Sequence, residues 1–408
     1  MSGHDAAAQL DRTLRSDGGR LRAGLIALTG RFDAAEDALQ EACARALVAW
    51  PGGGVPERPA AWLATVARRV ALDALRRPRA AALDRAREPA VEPVEPSDVD
   101  DDLLRLIFTC CHPSISQQSS VPLALKLLCG LSNAEIARAF GLKESAAAQR
   151  IVRAKRKIRR AGIAFELPRP VHFDERIDAV HSVIYAVFTE GHVATGGDAL
   201  MRPELAVEAI RLGRLTAELM PGHAETLGLL ALMLLVDARR AARTDGQGRL
   251  VPLDRQDRAA WDLERIEEGE SLLDRAMRLG RPGPYQIEAA IAALHDRAAN
   301  ESDTDWRQIR LLYRRLLTVR PGPVVALNAA IAEAMVEGPQ TGLARIERLQ
   351  RQAADAGGHL VHAARAELLR RLGRRSAAVD SYRRALSAVT NGAERRYLES
   401  RVAELTGA

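Results

Sequence analysis

The chain has 408 residues, a net charge of +6, 47% hydrophobic residues and only 4% aromatics. That length implies more than one domain, and a composition led by Ala, Leu and Arg favours helices over strands. The four cysteines, Cys43, Cys110, Cys111 and Cys129, form no CxxC pair and no secreted disulfide framework. The start of the chain is interrupted by His4, Asp5, Arg12 and Arg15, so no signal peptide is expected. The longest apolar run, Leu227 to Val236, falls well short of the ~20 residues of a membrane span. The expectation is an all-α, cytoplasmic protein with no membrane segment.

The first block, residues 1–77, reads as helical. Leu21, Leu25 and Leu28 recur at helical spacing, followed by Ala38, Ala42, Leu47 and Ala49. Pro51-Gly52-Gly53-Gly54 breaks the pattern, and a new helix is expected from about Pro59, with Trp62, Val66, Val70 and Leu75 on its apolar side. Residues 78–97 hold Pro78, Pro89, Pro93 and Pro96 among many charges, without periodicity, and read as a flexible linker.

The second block, 98–168, contains a helix-turn-helix. Ser132-Asn133-Ala134-Glu135 has the spacing of a capping box, and Ile136, Ala137 and Phe140 follow as an apolar stripe. Gly141 suits the left-handed turn that ends the helix, and Leu142 plugs it. The next helix, from about Glu144 to Arg160, is strongly basic. Ile151, Ala154 and Ile158 hold its inner face, leaving Gln149, Arg150, Arg153, Arg156 and Lys157 outside. Arg and Gln can read base edges in a major groove while the other cations neutralise phosphates. The plainer reading is a solvated charged face. It does not account for a capping box, a Gly turn and a basic second helix in succession.

The last block, 169–408, repeats helices between Pro/Gly breaks. Gly373, Ala378, Tyr382 and Ala385 have the spacing of tetratricopeptide (TPR) consensus positions, and Tyr313, Leu316 and Pro321 fit an earlier copy. Gly338 and Leu343 fit the repeat between, and Ala209 and Pro221 a more degenerate one. Arg243 to Asp257 reads as an inserted loop. Such helix pairs stack into an α-solenoid with a concave surface.

The order of these motifs carries a resemblance. Phe32-Asp33-Ala34-Ala35-Glu36-Asp37-Ala38-Leu39-Gln40-Glu41, then Trp62-Leu63-Ala64-Thr65-Val66-Ala67-Arg68-Arg69, Asp73 and Arg76-Arg77, is similar to region 2 of the extracytoplasmic-function sigma factors of bacterial RNA polymerase. Residues 129–160 resemble their region 4. The resemblance implies that Asp37, Gln40 and Glu41 dock on core polymerase. It implies that Trp62, Arg68, Arg69, Arg76 and Arg77 serve the −10 element, and that Gln149, Arg150, Arg153, Arg156 and Lys157 serve the −35 element. Phe108-Thr109-Cys110-Cys111-His112-Pro113 and Phe188-Thr189-Glu190-Gly191 resemble the subgroup with a C-terminal TPR-like extension. The implied partners are core polymerase, promoter DNA and a protein or peptide in the TPR-like groove. Three positions depart from the family pattern. Cys43 stands where an aromatic is usual and Arg69 where Asn is usual, and Lys143 and Ala146 leave the recognition helix weakly capped.

No chemistry beyond binding is expected. Cys110, Cys111 and His112 are adjacent but lack a fourth ligand at metal spacing, and His172, His181 and His192 are scattered. No catalytic constellation, metal site or cofactor motif emerges. Two other readings remain open: a LuxR-like DNA-binding regulator with a TPR sensor arm, acting without polymerase, and an adaptor whose solenoid is the active part.

Overall fold

The structure, a computed structural model, describes residues 3–82, 99–140, 142–352 and 358–407. The described residues are built from α-helices, with two isolated β-bridges and no named strand. The chain divides into two compact units, residues 1–187 and 188–408.

In the first unit, α1 (Gly3–Thr29) packs against both α2 (Phe32–Gly53) and α3 (Pro59–Ala82). Ala23, Leu25 and Ile26 meet Ala35, Ala38, Leu39, Ala42, Ala46 and Trp50 of α2 and Leu63, Ala67 and Ala71 of α3 in the core. The apolar side of α3 is therefore offset by one residue from the expected one; Trp62, Val66, Val70 and Leu75 are only half-buried. Leu47, expected inside, is 46% exposed. Trp62 leans edge-on against buried Trp50, ring centroids 5.7 Å apart. Pro51 is accommodated in the last turn of α2, and Gly54 then takes φ 82°, a conformation that ends the helix where the Pro/Gly run predicts. Pro78 lies inside α3, so the expected linker starts later; its remainder, 83–97, lies outside the described residues.

The same unit continues with α4 (Val99–Cys110), α5 (Gln117–Leu128), α6 (Asn133–Ala139) and α7 (Glu144–Arg160). Leu103, Leu104, Leu106, Ile107 and Phe108 are all buried, with Leu123, Ala124 and Leu127 of α5. Phe108 stacks on Phe173 at 5.3 Å, and Gln117 donates to the Ser182 hydroxyl at 2.9 Å. Ser182 lies on α8 (Ile177–His192), within which the boundary between the two units falls. The residues just beyond 168 thus pack with the first unit. Cys110 and Cys111 are buried, and burial pushes the Cys110 thiol up to about 12, which leaves it unreactive.

The second unit is a run of helices: α9 (Pro203–Leu219), α10 (Ala224–Ala238), α11 (Leu263–Arg278), α12 (Pro284–Arg297), α13 (Trp306–Val319), α14 (Pro323–Glu337), α15 (Pro339–Gln352), α16 (Gly358–Arg371), α17 (Arg375–Ala388) and α18 (Gly392–Thr406). Most pack chiefly on their neighbours in sequence, as stacked helix pairs do, while α12 packs chiefly on α10. Of the expected repeat positions, Leu316, Leu343, Ala378, Tyr382, Ala385 and Ala209 are buried, Tyr313 is half-buried and Pro221 and Pro321 are exposed, while Gly338 and Gly373 turn the chain at φ 95° and 73°.

Two features differ from an open solenoid. First, the array closes on itself. The Asn391 amide donates to Ala194 O at 3.0 Å and Ala199 O at 2.8 Å, Gly392 N–H donates to Gly197 O at 2.8 Å, and Arg396 donates to Asp198 O at 2.9 Å. Second, the expected inserted loop, Arg243 to Asp257, is folded, and it and the residues flanking it bond to other helices of the unit. Arg243 donates to His192 O at 2.5 Å, and Arg258 donates to His295 O and Ala298 O at 2.6 and 2.7 Å. Asp254 and Arg255 lie beside Tyr397 of α18.

Candidate nucleic-acid interface

The helix-turn-helix forms as its residues dictate. Ser132 caps α6: its hydroxyl accepts from Glu135 N–H at 3.1 Å, and the Glu135 carboxylate accepts from Ser132 N–H at 2.7 Å. Burial pushes the Glu135 carboxyl up, but these bonds, with Arg15 and Arg138 nearby, together outweigh it and hold the carboxyl below its ordinary range. Ile136 and Ala137 are buried, but Phe140 is 39% exposed and does not complete the stripe. Leu142 N–H bonds to Ala137 O at 2.7 Å and closes the turn; Gly141 lies outside the described residues.

Ala147, Ile151, Ala154 and Ile158 bury one face of α7 against α5 and α6. Gln149, Arg153, Arg156 and Lys157 are exposed and Arg150 is half-buried. All five residues assigned to the −35 element therefore sit on one helix, four of them open to solvent. Lys143, at the N-cap, makes no side-chain capping bond, as its identity predicts.

On α3, Arg68, Arg69 and Arg76 are exposed and Trp62 is half-buried, while the side chain of Arg77 lies outside the described residues. On α2, Asp37, Gln40 and Glu41 are exposed along one face. Glu41 pairs with Arg45 at 2.8 Å, both about half exposed. Such a surface pair is worth little and yields readily to a partner.

Two arrangements escaped the sequence reading. The first joins the halves of the first unit. Glu36 of α2 pairs with Lys155 of α7, and Asp33 lies 3.8 Å from Arg159. The acidic residues stand in a motif already singled out, but nothing in their spacing names a partner more than a hundred positions away. The second is a buried polar cluster in the second unit. Asp296 has a fully buried side chain whose Oδ1 lies 3.5 Å from Arg239 Nε, and neither carboxylate oxygen has a hydrogen-bond partner. Arg239 and Arg258 both lie over the Trp261 ring, at 5.8 and 4.5 Å from its centroid. Elsewhere, a groove of about 500 Å³ between α14 and α15 is lined by Glu333, Glu337, Gln340, Thr341, Arg345 and Arg348. Among the described residues no group of three or more His, Cys, Asp or Glu could hold a metal ion, and no helix is long and apolar enough to cross a membrane.

Comparison with known proteins adds three family matches. The model for Sigma-70 region 2 matches residues 14–81 and that for Sigma-70 region 4 matches residues 105–158. A family of unknown function, DUF6596, matches residues 176–277, from α8 to α11. An uncharacterized protein of Rhizobium meliloti (strain 1021) is 42% identical over 413 residues, covering 97% of this chain and 96% of its own.

Proposed function

Because the chain belongs to the extracytoplasmic-function type of RNA polymerase sigma factor and so acts in promoter-specific transcription, we propose that it does so by three contacts. The acidic face of α2, with Asp37, Gln40 and Glu41, docks on core RNA polymerase. The exposed cations of α3, with Trp62 beside them, follow the opened −10 strand, where unstacked bases need a cationic groove and an aromatic surface. Helix α7 enters the major groove at the −35 element. One observation supports the reading most: the capped helix-turn-helix turns a four-residue polar stripe to solvent and buries only Ala147, Ile151, Ala154 and Ile158.

The test is co-purification with core polymerase and transcription from a linear promoter template. Asp37→Arg with Glu41→Arg should abolish polymerase binding without loss of helicity, since like charges brought together cost several kcal/mol. Unchanged affinity at low salt would remove the docking assignment. Promoter binding with no dependence on polymerase would instead favour a LuxR-like regulator.

The extension is a regulatory module in cis, required for activity rather than simply inhibitory. It has its own closed core, which a masking tail would not need. A protein or peptide partner would use the mixed-charge groove of α14 and α15.

A further inference from the structure

In the second unit the charges of α12 to α17 are sorted by alternate helices. Helices α13, α15 and α17 carry ten arginines against two acids, Glu347 and Asp380, and α13 has no acid at all. Helices α12, α14 and α16 carry four arginines and five acids. The first set therefore holds +8, more than the +6 of the whole chain. An ordinary solvated helix mixes its signs, as α11 does with Glu264, Arg265, Glu268, Asp274 and Arg275.

The packing brings the three basic helices to one side. Arg314 of α13 and Arg345 of α15 lie 3.9 and 3.4 Å from the same carboxylate, Glu333 of α14. Arg374, the residue before α17, donates to Gln340 of α15 at 3.1 Å. Around these links Arg307, Arg315, Arg348, Arg375, Arg383 and Arg384 are exposed, and none has an ion-pair partner among the described residues. So many like charges repel one another, and a polyanion relieves the repulsion. The large apolar residues exposed on the three helices are Leu311 and Val319, too few for the apolar centre of a protein interface. Each helix has 14 residues, a length of about 21 Å. At 3.4 Å per pair that spans about six base pairs of duplex.

We propose that the arginine face of α13, α15 and α17 is a second DNA-binding surface, which holds the phosphate backbone of duplex DNA without reading its sequence. The cations are all arginine, whose planar fork takes two phosphate oxygens at once. Contacts to phosphate alone position a duplex and carry no base information. Fused to a helix-turn-helix, such a face meets flanking duplex at high effective concentration and strengthens binding without changing the sequence read. The proposal does not rest on the polymerase-docking reading. Of the six exposed arginines only Arg348 lines the groove between α14 and α15.

The experiment uses the full-length protein and a fluorescent random-sequence duplex of about 40 base pairs, with affinity measured by anisotropy from about 50 to 200 mM salt. Arg348→Gln, Arg383→Gln and Arg384→Gln together should lower the salt slope by about two to three, at about 0.9 per phosphate contact. A control removes the same charge at three exposed arginines elsewhere, Arg275→Gln, Arg278→Gln and Arg281→Gln; it should leave the slope as in wild type. The matching set Arg348→Lys, Arg383→Lys and Arg384→Lys keeps the charge and should keep the slope. Circular dichroism checks the fold of each variant. If the triple Gln variant loses helicity, Arg383→Glu alone takes its place, with an expected fall of about one or more. An unchanged slope in the face variant, or an equal fall in the control, overturns the proposal. So does a face variant that keeps its DNA affinity but loses binding to polyglutamate, which would assign the face to an acidic protein instead.

Discussion

Residues His295 and Asp296 are neighbours in α12, and burial acts on them in opposite directions. Burial raises the Asp296 carboxyl from an ordinary 3.8 to about 7, with Arg239 pulling the other way. Burial lowers the His295 imidazole from 6.5 to about 4, with Arg239 and Arg258 adding to the effect. Both groups are therefore uncharged in the folded protein between about pH 4 and 7 and charged in the unfolded chain through most of that range. For Asp296 the folded state holds the extra proton, so stability falls as pH rises from about 4 to 7. For His295 the unfolded state holds it, so stability rises from about pH 4 to 6.5. At about 1.4 kcal/mol per pH unit, each slope amounts to about 3 kcal/mol across the shared window, and the two nearly cancel. Single substitutions should separate them. Asp296→Asn leaves stability rising by about 3 kcal/mol more than wild type from pH 4 to 6.5. His295→Gln leaves it falling by a similar amount. The assay is urea unfolding at half-unit pH steps, following the transition reported by Trp261 and Trp306, which adjoin the cluster. Comparing slopes rather than absolute stabilities removes the pH-independent cost of disturbing Arg239 or the Trp306 contact. Wild-type slopes in both variants would refute the assignment of opposed buried groups.

Two further outcomes follow from the first unit and its junction. Arg153→Ala should lose roughly 1–3 kcal/mol of discrimination at one −35 base pair, whereas Lys157→Ala should weaken matched and scrambled sites alike and lower the salt slope by about one; competition binding across salt concentrations distinguishes them, and identical behaviour would refute the division into base and phosphate contacts. Truncation after Pro168 should lower the melting temperature of the first unit relative to truncation after His192, because it removes Phe173 from the face of Phe108, a burial worth about 2 kcal/mol; with the longer fragment folded, loss of promoter-dependent transcription supports a required extension, gain supports masking, and no change leaves an independent scaffold.

The fold was legible wherever local chemistry decides it. Ser132 and Glu135 name their own bonding partners by spacing alone, and the break at Gly54 needs only a residue that tolerates positive φ. The inner face of α7 could be read because Ile151, Ala154 and Ile158 recur at helical spacing among charges. Helix α3 shows the limit: alanines at 67 and 71 carry little hydrophobic signal, so larger Val66 and Val70 drew the apolar side one residue away from its true position. Long-range pairs left no local trace. Glu36 and Lys155, or Asn391 and the 194–199 turn, meet only because intervening helices bring them together. The loop from Arg243 to Asp257 was visible as an interruption, but its destination depends on Arg243 and the adjoining Arg258 finding carbonyls on α8 and at the end of α12.

The bonds from Asn391, Gly392 and Arg396 to residues 194–199 change how the extension should fold and fail. In an open stack, stability is close to a sum over adjacent repeats, and either end can fray without the other. Here the last helix secures the first turn, across almost two hundred residues of chain. Closing so long a loop carries an entropic cost before any contact compensates it, and such distant pairing slows folding. The joint should form late, and once formed it should bind the helices into one cooperative unit with no loose end. Hydrogen exchange would register this as similar protection in α9 and α17 and their simultaneous loss when Asn391 is replaced.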